Sequence, residues 1–538
     1  MGPVNNEGTM KSFMKGAVLL TIAGFIVKLL SAVYRVPFQN LVGDQGFYIY
    51  QQVYPFVAIF GIWTSYGFAV AISKLLADTG KQSHGAILRI AVTYVAVISI
   101  IVFVLLFFGA ELLAGWMGDL QLSQLLKVGA FSVLLMAPLA VLKGYFQSRN
   151  DMAPVAYAQV VEQGLRVAVI LIGAWIVVSS GFSLYAAGQM AMLGAVAGGL
   201  GAAILLLLYF RNHSASLKQP TTTVGAWSIV KEMTAISISV SMSSLILVLF
   251  QLVDSFTVFR LLEESGMGRL VAMEQKGIYD RGQPLVQFGI LIATSLTLAI
   301  VPLVARTSKK NSGRPAEMYA RLAFRVSFLF AFAAAVGLTF VMPYVNETLF
   351  QTREQSFALI IFSWQIVWMS LLLIMTAMLH GLGKVRVPAL LLVSGLVVKI
   401  IGNWLLLPIW GVSGAAIAGN IGLMIVVIGL LFYFKKVWPL TFAPLSYYGW
   451  LFGAAMAMSA VVLGWSILAD NYLFNNLSSR FGALLTTATT IPLGALVFMA
   501  LIGKSRIITE KEWYIIPFGR KLAGLQLAIN SKKKGEMR

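Results

Sequence analysis

Fourteen apolar runs divide this chain, at about 13–37, 47–76, 84–110, 122–146, 155–180, 183–211, 229–258, 279–305, 318–344, 355–380, 386–408, 412–436, 446–470 and 479–503. Each is near the ~20 residues that an α-helix needs to cross the hydrocarbon core of a bilayer. The expected fold is therefore an all-α polytopic membrane protein with 14 transmembrane helices. Of the 538 residues, 59% are hydrophobic and 11% charged, where soluble proteins carry about 25% charged residues. The first run is too long for a cleaved signal peptide and carries Lys28.

Charge placement orients the helices. With a cytoplasmic N-terminus, 29 of the 40 Lys and Arg fall in cytoplasmic segments, as the positive-inside rule requires. Arg260, Arg269, Lys276, Arg281, Arg353 and Arg480 fall on the outer side. Both termini are then cytoplasmic, in the plasma membrane. The net charge of +20 and the tail Lys532-Lys533-Lys534 point to anionic lipid headgroups, and no nucleic-acid partner is expected.

Five cations are read as the intramembrane set: Lys28, Arg35, Lys127, Arg166 and Lys399. A charge in hydrocarbon costs at least ~2.5–3.5 kcal/mol on the insertion scale, so it faces a cavity and does a job there. Glu162 and Arg166, four apart in the fifth run, share a helix face. They read as a local ion pair whose arginine can still donate to a phosphate. Lys399, midway along the eleventh run, is expected to partner Asp254 in the seventh, because an unpaired buried charge is costly. Asp280 and Arg281 are adjacent at the start of the eighth run and point to different faces. Arg35 and Lys127 are near the outer interface, where long side chains snorkel.

The chain carries a parallel repeat. Gly46-x-Tyr48 matches Gly277-x-Tyr279, Leu142-x-Gly144 matches Leu379-x-Gly381, and Gly181-x-Ser183 matches Gly411-x-Ser413, at offsets of 231, 237 and 230. Six helices per copy preserve orientation, as in repeats related by an axis along the membrane normal. The organisation read from it is an N-lobe over 1–211, a cytoplasmic linker over 212–228, a C-lobe over 229–436, two extra helices over 437–503 and a basic cytoplasmic tail over 504–538. Small residues in the sixth run (Gly194, Gly198, Gly199, Gly201) permit close helix packing.

Cysteine is absent, which excludes disulfides, thiol nucleophiles and Cys-ligated metals. His84, His213 and His380 are scattered over separate loops. No metal or cofactor is expected. Gly503-Lys504-Ser505 lacks the earlier glycine of a phosphate-binding loop, since Phe498 stands there. Transport is favoured over enzymatic chemistry, with an ion gradient or the membrane potential as the energy source.

The runs Lys28-Leu29-Leu30-Ser31-x-x-Tyr34, Gly43-Asp44-x-Gly46-x-Tyr48-x-Tyr50-Gln51, Ala71-Ile72-Ser73-Lys74, Gln159-x-x-Glu162-Gln163-x-x-Arg166 and Tyr279-x-Arg281, with Pro302 downstream, resemble the polysaccharide-transporter branch of the MOP flippase superfamily. Within it they look like the SpoVB and MurJ-type lipid II flippases of Gram-positive bacteria. The resemblance implies two six-helix lobes, a cationic cavity, a lipid-tail groove along helices 13 and 14, and export of undecaprenyl-pyrophosphate-linked sugars by alternating access. It places Lys28 and Arg281 where the family has essential arginines. A second helix 1 arginine is replaced by Tyr34, with Arg35 one position on, and a helix 2 arginine has no counterpart between Val57 and Gly61. The expected substrate-binding set is Lys28, Arg35, Arg166 and Arg281. Glu162, Asp254, Lys399 and Asp280 are expected to gate or pair. Some relatives bind sodium between helices 7, 11 and 12, where the Lys399 ammonium would substitute for the ion against Asp254.

The function these readings favour is a flippase for lipid II, acting as a monomer on a lipid-linked anionic glycan among membrane lipids, with cell-wall synthesis proteins as candidate partners. Export of another lipid-linked polysaccharide unit is the alternative. A multidrug or cation antiporter fits less well, because the deep acid Glu162 sits beside an arginine. A non-transporting scaffold has no need of interior charge.

Overall fold

The computed structural model describes residues 6–80, 83–213, 225–296, 313–384, 386–437, 441–474, 476–514, 519–524 and 526–527. Every regular element among them is helical. Pro302, the Lys532–Lys534 tail and most of the polar linker lie outside the described residues.

Eleven helices among the described residues are long and apolar enough to cross a membrane. Two are much longer than one crossing: Val18–Asp78 has 61 residues and Arg386–Lys436 has 51. At 1.5 Å per residue either exceeds a ~30 Å core twofold. Each bends at a glycine in the left-handed region, Gly43 at φ +70° and Gly411 at φ +56°, a conformation that other L-residues rarely adopt. The expected eighth run, 279–305, falls partly on residues that are not described.

Contacts group the chain into two compact units, Met1–Asp280 and Arg281–Arg538. The first contains α1 (Asn6–Val33), α2 (Arg35–Ile62), a π-helical turn (Trp63–Phe68) and α3 (Ala69–Asp78). It continues through α4 (His84–Phe108), α5 (Ala110–Trp116), α6 (Leu122–Ala130), α7 (Met136–Ser148), α8 (Ala153–Ser179) and α9 (Leu184–His213). The helices α10 (Ala226–Glu264) and α11 (Arg269–Asp280) pack on α2 and belong to this unit as well.

Its apolar core joins α3, α4 and α7, with Ile72, Leu88, Leu139 and Tyr145 all buried. Among the described residues the most extensive helix–helix contact is that of α8 with α9. The glycines of α9 make that approach possible: a Cβ on Gly198 would lie 2.3 Å from the Glu162 carbonyl oxygen, and one on Gly201 2.2 Å from Leu165. Small residues let membrane helices meet at backbone distance, where dispersion holds them together. This contact fixes the turn of α8 that carries Glu162 and Arg166.

The second unit contains α12 (Gly282–Gly289), α13 (Gly313–Phe350), α14 (Ser356–Ser363), α15 (Gln365–Gly381) and the bent α16 (Arg386–Val437). The hairpin of α17 (Leu445–Leu468) and α18 (Ser479–Ser505) packs on α13, and α19 (Glu510–Trp513) follows it. One end of the hairpin is tied to α13 by Arg353, which pairs with Glu347 and Asp470. Near the other end Tyr447 donates to the Arg325 carbonyl at 2.6 Å, and Arg325 pairs with Glu512.

Candidate functional site

A charged interior of the first unit is built on one face of α2. Tyr50 and Tyr54 are four residues apart and therefore neighbours on that face. The Tyr50 and Tyr34 hydroxyls share a hydrogen bond of 2.6 Å, and the Tyr50 and Tyr54 rings lie 5.8 Å apart. The Arg35 guanidinium lies 4.8 Å from the centre of the Tyr54 ring, and that of Arg166, from α8, lies 5.7 Å from the same ring. A cation over an aromatic face gains about 0.5–2 kcal/mol, well short of what burying a charge costs.

Some of the donors of these arginines have no partner among the described residues. Arg35 is fully buried, and its Nε and Nη1 lack a hydrogen-bond acceptor, as does Arg166 Nε, among the described residues. A planar guanidinium with free N–H groups is suited to phosphate or carboxylate oxygens, which it can grip at two points. The sequence reading placed Arg35 at an interface where it could snorkel; the structure buries it, because the chain turns at Tyr34 and folds Arg35 under Tyr54.

One turn along α8, Glu162 is not bonded to Arg166. Its Oε2 accepts from Lys143 Nζ of α7 at 2.9 Å, so the local pair expected from spacing is replaced by a pair between helices. Lys143 also donates to Ser65 Oγ at 3.1 Å. Ser65 sits in the π-helical turn, a distortion common at functional sites because it re-aims side chains. Lys143 is almost fully buried, although a tally by segment assigns it to the cytoplasmic side. Its place inside the fourth apolar run was the signal that could have found it.

The other expected residues are distributed as follows. Lys28 is exposed on α1 among exposed apolar neighbours, Phe25 and Leu29. Lys127 pairs with Glu111 at 2.8 Å. Asp254 is buried and accepts from the Tyr279 hydroxyl at 3.0 Å. Asp280 pairs with Lys276 at 2.6 Å, four residues away on α11. Lys276 is buried rather than lying on an outer loop, because α11 packs on α2.

In the second unit, Arg281 is fully buried and its Nη1 donates to Asn346 Oδ1 at 2.8 Å. Its guanidinium also lies 5.0 Å from the Phe350 ring. Asn346 is held in turn by the Glu354 carbonyl at 2.9 Å and Ser356 Oγ at 3.2 Å. Lys399 is buried beside Gln365, near Gly419. Asp254 and Lys399 belong to different units.

The chain is all-helical among the described residues, with arginines and lysines buried in its interior. The fold is similar to that of two solved membrane proteins. It matches the solved lipid II flippase MurJ in an inward closed conformation at a TM-score of 0.67, with 16% identity, over 90% of this chain and 98% of that one. It also matches the inward-facing conformation of a multidrug resistance MATE family transporter of the MOP superfamily, at a TM-score of 0.63 with 15% identity, over 78% of this chain and 98% of that one. The chain belongs to the polysaccharide biosynthesis protein family, whose model matches residues 13–308. It is 37% identical over 522 residues to the uncharacterized membrane protein YabM of Bacillus subtilis, covering 95% of this chain and 96% of that protein.

Proposed function

We propose that the protein moves an undecaprenyl-pyrophosphate-linked glycan, lipid II in the first instance, from the inner to the outer leaflet by alternating access between two six-helix lobes. The observation that carries the reading is the pair of guanidinium groups on Tyr54, with Nε and Nη1 of Arg35 and Nε of Arg166 unpartnered. Keeping them charged inside a membrane protein is costly, and a pyrophosphate supplies the missing acceptors. Lys28 in the first unit and Arg281 in the second are each assigned a headgroup-binding role on the strength of the family resemblance.

Two further observations support this reading. Among the described residues the buried acids of the first unit are engaged, Asp119 by Arg269, Asp254 by Tyr279 and Asp280 by Lys276, and the half-buried Glu162 is held by Lys143. A carrier of cationic drugs needs acids available to its cargo, so the anionic substrate is favoured. The second unit also has an apolar groove of about 400 Å³ lined by Phe332 and Phe340 of α13, Trp364, and Phe452 and Met456 of α17. It suits a stretch of polyprenyl tail, and it lies on α13 and α17 rather than between the last two helices.

The test is to deplete the protein in cells where it is the only flippase and to measure lipid II at the outer surface. Surface lipid II falls and the cytoplasmic pool rises if the assignment is right. An unchanged surface pool sinks lipid II as the substrate and directs the search to another lipid-linked glycan.

A further inference from the structure

Resting on the anion-binding reading of Arg35 and Arg166, we infer that Lys143 is a positioning residue: it holds the Glu162 carboxylate away from Arg166 and so keeps that guanidinium available to the substrate anion.

Glu162 and Arg166 are four apart on α8, the spacing at which a carboxylate and a cation on a helix meet by default. The helix α9 packs closely behind this turn, with a Gly198 Cβ position only 3.2 Å from Arg166 Cβ. Yet Glu162 Oε2 lies on Lys143 Nζ at 2.9 Å, and Arg166 Nε has no acceptor. The competitor that wins the carboxylate comes from another helix. Lys143 is itself steered, because Ser65 in the π-helical turn takes a second of its three donors at 3.1 Å. Its side chain is 1% exposed against 30% for Glu162, so the ammonium is the fixed member and the carboxylate the one that could swing.

Charge gives the same result. Arg35, Arg166, Lys143 and Glu162 sum to a formal +2, an excess of positive charge that favours an anion. Without Lys143 the sum falls to +1, and Glu162 is left to close onto Arg166 as an internal substitute for the substrate. Charge-assisted hydrogen bonds to a guanidinium are among the strongest in proteins, so an intramolecular carboxylate there would block an external anion effectively.

The experiment measures inorganic pyrophosphate binding to the purified full chain by calorimetry, with melting temperature recorded for every variant. Lys143→Met is expected to weaken binding by about tenfold or more, and Lys143→Met with Glu162→Gln to restore it to near wild type. Lys127→Met, which removes a cation paired elsewhere, controls for bulk charge and is expected to bind as wild type does. Should Lys143→Met fail to fold, Glu162→Gln alone decides: binding equal to or tighter than wild type supports the inference, and weaker binding at an unchanged melting temperature overturns it. Wild-type affinity in Lys143→Met also overturns it, as does a double variant that stays weak, since Lys143 would then contact the anion itself. If Arg166→Gln binds pyrophosphate as well as wild type does, the anion site is misassigned and the inference falls with it.

Discussion

Arg35 and Arg166 show why a residue's type and its depth must be read together. Arg35 Nε and Nη1 and Arg166 Nε have no acceptor among the described residues, and leaving a buried donor unmade costs ~1–3 kcal/mol, more when it is charged. Arg35→Gln and Arg166→Gln are each expected to cut lipid II exposure at least about tenfold with protein levels in the membrane unchanged. Arg35→Lys should not rescue, because an ammonium lacks the planar fork. Arg281→Ala and Lys28→Ala are expected to abolish function while the protein still inserts; normal growth of cells relying on either variant alone would refute that assignment. Arg281 also shows what residue-level reading misses. Its partner Asn346 lies 65 residues away, and no local spacing announces it.

At the scale of elements, close helix contacts set the geometry of the charged site. Gly198→Ala puts a methyl group 2.3 Å from the Glu162 carbonyl oxygen, so α8 and α9 must separate. Overpacking of this kind costs about 1–3 kcal/mol, to be read as a lower melting temperature in detergent together with weaker pyrophosphate binding. A second joint holds the start of α11 to the loop between α5 and α6. The fully buried Asp119 accepts from Tyr185 at 2.6 Å and pairs with Arg269 Nη2 at 2.7 Å. Arg269 is 43% exposed, so solvent screens it, and Arg269→Gln is expected to cost roughly 1–2 kcal/mol rather than the 3–5 of a fully buried pair. Faster hydrogen exchange over 269–280 in that variant would confirm that the joint pins α11. Both joints depend on partners that are distant along the chain. The helices themselves were visible as apolar runs, and their contacts were not.

At the scale of the whole molecule, cargo and energy source meet. An anion leaving a cell that is negative inside gains about 2.3 kcal/mol per charge per 100 mV. Transport of lipid II in proteoliposomes is therefore expected to quicken when a potassium diffusion potential is imposed negative on the side holding the headgroup, and to slow when its sign is reversed. Equal rates under both signs would separate the charge in the site from the driving force. The sequence by itself determined that the chain is helical, that it spans a membrane many times, and that cations sit where lipid should exclude them. Those properties follow from run length and transfer energy, which are local and nearly additive. Only the tertiary structure decided which charges pair: Glu162 with Lys143 from a neighbouring helix rather than with Arg166 one turn away, and Arg35 under Tyr54 rather than at a lipid interface. The physical reason is that pairing depends on which side chains the packed helices bring within about 3 Å, a distance that spacing along one helix cannot specify.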